Sequence, residues 1–231
     1  SVGGSVLAPD LEPGRVAAYG DVLADLATDH EVAAVVGGGR VAREYIDAAR
    51  ALGGNEIELD QLGIGVTRLN ARLLLAALDE ELAASTVASE YEAGAEALHR
   101  GDVAVMGGVM PGQTTDAVAA ALAEYVDADL LVYATSVDGV FSADPDADPD
   151  AEQHARLTGT ELVDLVAPMS RGAGASAPVD LLAAKLIERS KMRTVVLDGT
   201  DPERVAAAVL HGDHSGTDVV PEGSHDPERW T

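Results

Sequence analysis

Short apolar runs alternate with longer amphipathic stretches along the whole chain, and the runs end in clusters of small residues. This rhythm admits few folds. Residues 32–36 (Val-Ala-Ala-Val-Val), 102–106, 129–134 and 194–198 are short and apolar throughout, the pattern of strands buried on both faces. Between them, 13–29, 40–52, 61–83, 92–99, 114–125, 160–167 and 179–190 carry helical spacing, and Asp201-Pro202 opens another helix. A further strand is expected over 84–88. Alternating strand and helix requires crossovers, and crossovers produce a largely parallel sheet with helices on both faces, an α/β architecture. All-helical and all-β folds are excluded.

Small residues fall where such a sheet binds ligands, outside the carboxyl ends of its strands. Gly37-Gly38-Gly39 follows 32–36, Gly107-Gly108 and Gly112 follow 102–106, and Thr135-Ser136 follows 129–134. Gly3-Gly4-Ser5 has the same character with almost no strand before it, which points to residues preceding Ser1. Glycine lets backbone amides approach an anion, and a helix N-terminus adds the positive end of its dipole, so such loops suit phosphate. No G-x-x-x-x-G-K-[ST] segment occurs. Gly37 to Ala42 also matches G-x-G-x-x-A, with Glu56 and Glu58 as ribose contacts, but a dinucleotide site accounts for one loop of four.

Cations near these loops are candidate phosphate ligands. Arg40 and Arg43 follow the triple glycine, and Arg68 and Arg72 are spaced i, i+4 on the long helix, where ion pairing with surface carboxylates is the competing use. Of two lysines, Lys185 lies on a helix just after Asp180, able either to offset charge on a transferred phosphoryl group or to pair with Glu188. Lys191 reads as exposed.

Forty acidic against 15 basic residues give a formal charge of −25, which disfavours binding to a nucleic-acid backbone. Such an acidic, lysine-poor surface fits a salt-rich, halophilic cytoplasm. There is no cysteine, so disulfide frameworks, thiolate catalysis and zinc–thiolate sites are excluded. No run of 18 apolar residues and no basic leader occurs, so neither a membrane span nor secretion is expected and the cytoplasm is the default. His211 and His214 lack further ligands, and Asp144 to Asp150 lacks the glycine and terminal glutamate of a calcium loop, so no protein-held metal site is expected. The loops 142–155 and 170–178 are too short to separate independent domains. One domain with two lobes, about 1–125 and 126–231, is expected.

Five ordered segments carry a family resemblance: Gly37-Gly38-Gly39-Arg40-Val41-Ala42-Arg43, Asp60-Gln61-Leu62-Gly63-Ile64 leading to Thr67-Arg68-Leu69-Asn70-Ala71, Thr114-Thr115-Asp116-Ala117, Thr135-Ser136-Val137-Asp138-Gly139-Val140-Phe141, and Val179-Asp180-Leu181-Leu182-Ala183-Ala184-Lys185. Together they resemble the archaeal type of uridylate kinase within the amino acid kinase superfamily, over Ser1 to about Val219. The resemblance implies a three-layer αβα sandwich with a mainly parallel central sheet, a homohexamer, and transfer of the ATP γ-phosphoryl group to UMP in pyrimidine nucleotide biosynthesis. Mg²⁺ would arrive on the nucleotide. By motif, Gly4, Ser5, Gly39 and Arg43 would contact ATP, with Thr135, Ser136, Phe141 and Asp144 around its base and ribose. Gly38, Asp60 and the run Val109, Met110, Pro111, Gly112, Gln113, Thr114 and Thr115 would hold UMP. The first lobe is then the acceptor side and the second the ATP side. Lys185 would neutralise developing charge, with Asp180 orienting it. The competing readings are a non-catalytic nucleotide-binding regulatory module, a family enzyme with another acceptor, and a dinucleotide dehydrogenase.

Overall fold

The computed structural model describes residues 1–145, 147–169 and 179–223, so the loop expected over 170–178 lies outside the described residues. The chain divides into two compact units, Ser1–Val118 and Ala119–Thr231.

In the first unit, α1 (Gly4–Leu7), α2 (Pro13–Leu26), β1 (Ala33–Val35), α3 (Gly39–Ala51), α4 (Glu56–Leu75), α5 (Tyr91–His99) and β2 (Ala104–Met106) follow in order, and α6 (Thr115–Tyr125) begins at its end. Pro13 occupies the first turn of α2, where its missing N–H costs nothing. Strand β1 pairs parallel with β2. Single parallel bridges extend this ladder on both sides: Val2 to Val36, and Ala83 and Ala88 to Val103 and Met106. The strand expected over 84–88 is therefore present only as two isolated bridges. Val35, Val36, Val105 and Met106 are buried, as the all-apolar runs require.

Helix α4 departs from its expected span of 61–83 at both ends. Asn55 accepts the Glu58 amide and Glu58 accepts the Asn55 amide, a capping box that starts the helix at Glu56. Glu58, one of the two expected ribose contacts of a dinucleotide site, is thereby committed to the cap.

The second unit holds β3 (Leu131–Thr135), β4 (Val140–Phe141), β5 (Gln153–His154), β6 (Arg156–Thr158), α7 (Gly159–Met169), α8 (Leu181–Ser190), β7 (Thr194–Asp198), α9 (Pro202–His211) and β8 (Thr217–Val220). Four strands pair in the order β3-β7-β8-β6. The outer pairs are parallel, while β7 and β8 run antiparallel, with α9 ending at an αL turn on Gly212 between them. Strands β4 and β5 form a separate antiparallel hairpin. Helix α7 packs on α8, β6 and β8, burying Leu162, Val166 and Ile187.

Candidate functional site

Two glycine loops of the first unit interlock backbone against backbone. Val2 donates its amide to Val35 and Gly37 donates to Val2, which draws the loop after Val2 alongside the loop after β1. A Cβ on Gly4 would stand 2.3 Å from the Gly39 nitrogen and 2.4 Å from the Gly37 carbonyl oxygen, so only glycine fits. Gly39 opens α3 with φ at +63°, and no side chain caps that helix. Its first amides take no side-chain acceptor, and the positive end of the helix dipole lies beside them.

One turn into α3, Arg43 Nη2 donates to Ser5 Oγ at 3.4 Å and makes no ion pair among the described residues. Arg40 is different. Its guanidinium holds Asp10 at 2.7 Å and also Glu44, and hydrogen bonding to Glu44 raises its affinity for its proton. Of the two arginines after the triple glycine, Arg43 is the one whose guanidinium charge is not already set against carboxylates among the described residues.

Consecutive polar residues of α4 grip two of these loops. Asn70, buried at 4% exposure, donates its Nδ2 to the Gly37 carbonyl at 2.9 Å and to the Gly38 carbonyl at 3.3 Å. Thr67 Oγ1 accepts the Gly108 amide at 2.7 Å. Arg68 donates Nε and Nη2 to the Gly108 and Val109 carbonyls at 3.0 and 3.3 Å, so part of its guanidinium holds the second glycine loop. A Cβ on Gly107 would lie 2.7 Å from Thr67 Oγ1, which is how the second glycine loop approaches α4 this closely. Sequence reasoning missed the roles of Thr67 and Asn70. Their signal was present: both fall in the i, i+3, i+4 pattern of buried positions with Val66, Ala71 and Leu74, and a polar residue there needs a buried partner.

From Gly108 the chain runs through Val109, Met110 and Pro111 to Gly112, whose φ is +81° and whose amide donates to Asp60 Oδ2 at 2.8 Å. Gln113 receives the Tyr91 hydroxyl at 3.2 Å, and partial burial pushes the Tyr91 phenol pKa up. Thr114 caps α6 by accepting the Ala117 amide at 3.1 Å, and Thr115 is the first residue of that helix. The structure therefore gathers Asp60, Gly108 and the segment from Val109 to Thr115 at one end of α4, and Gly4, Ser5, Gly38, Gly39 and Arg43 around the N-terminus of α3.

In the second unit, Thr135 ends β3 and folds its hydroxyl onto Val137, accepting that amide at 3.1 Å, with Ser136 exposed beside it. Phe141 lies in the β4–β5 hairpin opposite Gln153. Asp144, with Ser142, Asp164, Leu165 and Met169, lines a cavity of about 420 Å³. Thr217, fully buried, fixes the hairpin: its Oγ1 accepts the Val140 amide at 2.8 Å and donates to the His154 carbonyl at 2.6 Å. Gln153 Nε2 donates to the Asp138 and Ser215 carbonyls, both at 2.8 Å.

Asp180 and Lys185 do not pair. Asp180 Oδ1 caps α8 by accepting the amides of Leu182 and Ala183 at 2.7 and 3.0 Å. Lys185 Nζ donates to Glu188 Oε2 at 3.0 Å, which holds the Glu188 carboxyl below the ordinary carboxylate range. Lys191 forms the αL C-cap of the same helix. Among the described residues no cluster of three or more His, Asp or Glu side chains is placed to hold a metal ion, and no helix is long and apolar enough to cross a membrane.

The model of the amino acid kinase family matches residues 1–198. A uridylate kinase of Halorubrum lacusprofundi is 66% identical over all of this chain and 96% of its own length, and one of Haloquadratum walsbyi is 62% identical over the same shares. A crystal structure of uridylate kinase from Archaeoglobus fulgidus superposes with a TM-score of 0.86 at 44% identity, covering 95% of this chain and 98% of its own. These likenesses bear out the resemblance carried by the ordered motifs.

Proposed function

The chain belongs to the amino acid kinase family, and on that premise we propose that it is a uridylate kinase, moving the γ-phosphoryl group of ATP onto UMP and releasing UDP and ADP. High identity to proteins named uridylate kinase, over the whole chain, supports this acceptor. The observation that carries phosphoryl chemistry is the interlocked pair of glycine loops at the uncapped N-terminus of α3, with Arg43, which has no ion pair among the described residues, one turn away.

Phosphoryl transfer asks little covalent work of a protein; positioning and charge neutralisation dominate. In this reading the amides of Gly4, Ser5 and Gly39, with Arg43, hold the ATP phosphates. Thr135, Ser136, Phe141 and Asp144 hold the ribose and base. UMP lies against Gly38, Asp60 and Val109 to Thr115, where one Asp60 oxygen keeps the Gly112 loop in place and the other accepts a ribose hydroxyl. Asp180 fixes the start of α8, and Lys185 exchanges Glu188 for the phosphoryl oxygens as charge develops on them. Mg²⁺ would be held on the ATP phosphates, where it would supply charge neutralisation.

The same reading places the enzyme in pyrimidine nucleotide synthesis, in the cytoplasm of a halophile, as a homohexamer. Self-association is supported by Tyr45, Leu52, Ile57 and Leu69, large apolar side chains exposed on α3, α4 and the turn between them. A coupled ADP-release assay in molar KCl, offering UMP, CMP, carbamate, acetylglutamate and isopentenyl phosphate, tests the function. Turnover is expected with UMP, and turnover of another acceptor without UMP would reassign the substrate.

A further inference from the structure

A buried amide side chain in mid-helix is an expensive choice unless its hydrogen bonds do something a hydrophobic residue cannot. Asn70 spends its Nδ2 on two successive carbonyls of one loop, Gly37 at 2.9 Å and Gly38 at 3.3 Å. In a trans peptide the N–H points opposite to the C=O of the same plane, and no cis peptide occurs among the described residues. Drawing the Gly37 carbonyl onto Asn70 therefore turns the Gly38 N–H to the far side, and drawing the Gly38 carbonyl inward does the same for the Gly39 N–H. The Gly38 carbonyl is shared with the Ala42 amide of α3 at 3.4 Å, whereas the Gly37 carbonyl is held by the Asn70 side chain, and neither glycine has a Cβ to restrict its plane.

We propose that Asn70 is a positioning residue for both nucleotides: it sets the outward orientation of the Gly38 N–H, on the UMP side of the transfer, and of the Gly39 N–H, on the ATP side. Its neighbour Thr67 acts on one side only, through the Gly108 amide of the acceptor loop at 2.7 Å. One turn of α4 thus fixes both loops from behind and sets the spacing between the amides that meet the two substrates. The inference rests on the kinase reading proposed above.

The experiment compares full-length Asn70→Leu and Thr67→Val with the wild-type enzyme in molar KCl, measuring kcat and the KM for UMP and for ATP, together with thermal melting without nucleotide. Asn70→Leu is to lower kcat/KM for both nucleotides by roughly tenfold or more. Thr67→Val is to raise the KM for UMP several-fold while leaving that for ATP within about twofold. Constants near wild type in Asn70→Leu, or a loss confined to one nucleotide, would overturn the proposal. Should Asn70→Leu not fold, Asn70→Ser, which keeps a shorter donor, is to show an intermediate loss for both nucleotides; wild-type constants there would likewise overturn it. A wild-type enzyme inactive on UMP would instead overturn the kinase reading and leave this inference without its premise.

Discussion

Arg43 Nη2 stands 3.4 Å from Ser5 Oγ, a hydrogen bond that ties the guanidinium on α3 to the second residue of α1. Arg40, three residues earlier, is held by Asp10 and Glu44 at the surface. Exposed pairs of that kind contribute about 0 to 1 kcal/mol. Arg43→Ala is therefore expected to lower kcat/KM by about a hundredfold or more with little change in melting, the cost of a lost charge-assisted contact in the transition state. Arg40→Ala is expected to stay within about threefold of wild type. Steady-state kinetics on the two variants check the contrast, and equal effects would remove Arg43 from the site.

The glycine loops admit no side chain where they cross. In Gly4→Ala the new Cβ would meet backbone atoms of Gly37, Gly38 and Gly39 at 2.3 to 2.5 Å, and backbone cannot swing aside as a side-chain tip can. The expected loss is about 3 kcal/mol or more. Gly14 supplies the control: it lies in the first turn of α2 with nothing within 4 Å of a Cβ, so Gly14→Ala is expected to stabilise by about 0.5 to 1 kcal/mol through the unfolded chain. Urea unfolding in molar KCl measures both without altering ionic strength.

These loops were legible because glycine is conspicuous and the strands before them are apolar throughout. Helix α3, strand β3 and strand β7 likewise follow from periodicity and length. Strands β4, β5 and β6 span two or three residues each, too few to show alternation; Thr217 pins β4 and β5 from β8, and β6 is held by pairing with β8. The antiparallel entry of β8 beside β7 was invisible to a pattern whose crossovers imply parallel pairing. At the proposed site, motif order singled out Gly4, Gly39 and Asp60 as candidates, but the partners of Arg68 and Asn70 are carbonyls some 30 to 40 positions away in sequence, and only the folded chain brings them together.

Thr217 is the counterpart in the second unit of the α4 residues. Its hydroxyl accepts from Val140 and donates to His154, holding the hairpin that carries Phe141 toward the segment of Asp144. Thr217→Val keeps the shape and leaves both groups unpaired, with an expected cost of about 1 to 3 kcal/mol. In the proposed enzyme the KM for ATP should rise several-fold and that for UMP should not, and Thr217→Ser should restore both stability and KM. An unchanged KM for ATP would detach this hairpin from the nucleotide.

Lys185 offers a pH-dependent test. Because its ammonium donates to Glu188, the folded pKa of Glu188 lies below its unfolded value. A lowered carboxyl pKa means stabilisation present above the unfolded value, about 4.3, and lost as pH falls through the folded value. Lys185→Met is expected to return the Glu188 pKa toward that ordinary value, read by NMR titration, and to flatten the acid limb of stability slightly, since both groups are solvent-exposed. At neutral pH its stability should stay near wild type while kcat falls about a hundredfold, if the ammonium neutralises phosphoryl charge. Glu188→Gln frees the lysine and is expected to leave kcat within about threefold. A Lys185→Met enzyme with full kcat would reduce the residue to a surface pair.

The charge sets the conditions for all of these measurements. Even if each of the 15 basic side chains neutralised one of the 40 acidic ones, 25 carboxylates would remain unpaired. The surface ion pairs present, such as Arg50 with Asp47 at 3.2 Å and Arg204 with Asp198 at 2.7 Å, are local and do not reduce that excess. Repulsion among the excess charges reaches about 30 Å at 0.01 M salt but only about 3 Å at 1 M, so low salt opposes the compact state over distances comparable to a folded unit. The melting temperature is expected to rise by about 10 °C or more between about 0.05 M and 1 M KCl. Screening saturates once the Debye length falls below the spacing of neighbouring carboxylates, whereas exclusion of salt from apolar surface keeps growing with concentration. A rise that levels off near 1 M identifies repulsion as its cause. A melting temperature independent of KCl would show that the carboxylates are far enough apart, or well enough hydrated, for their repulsion not to matter.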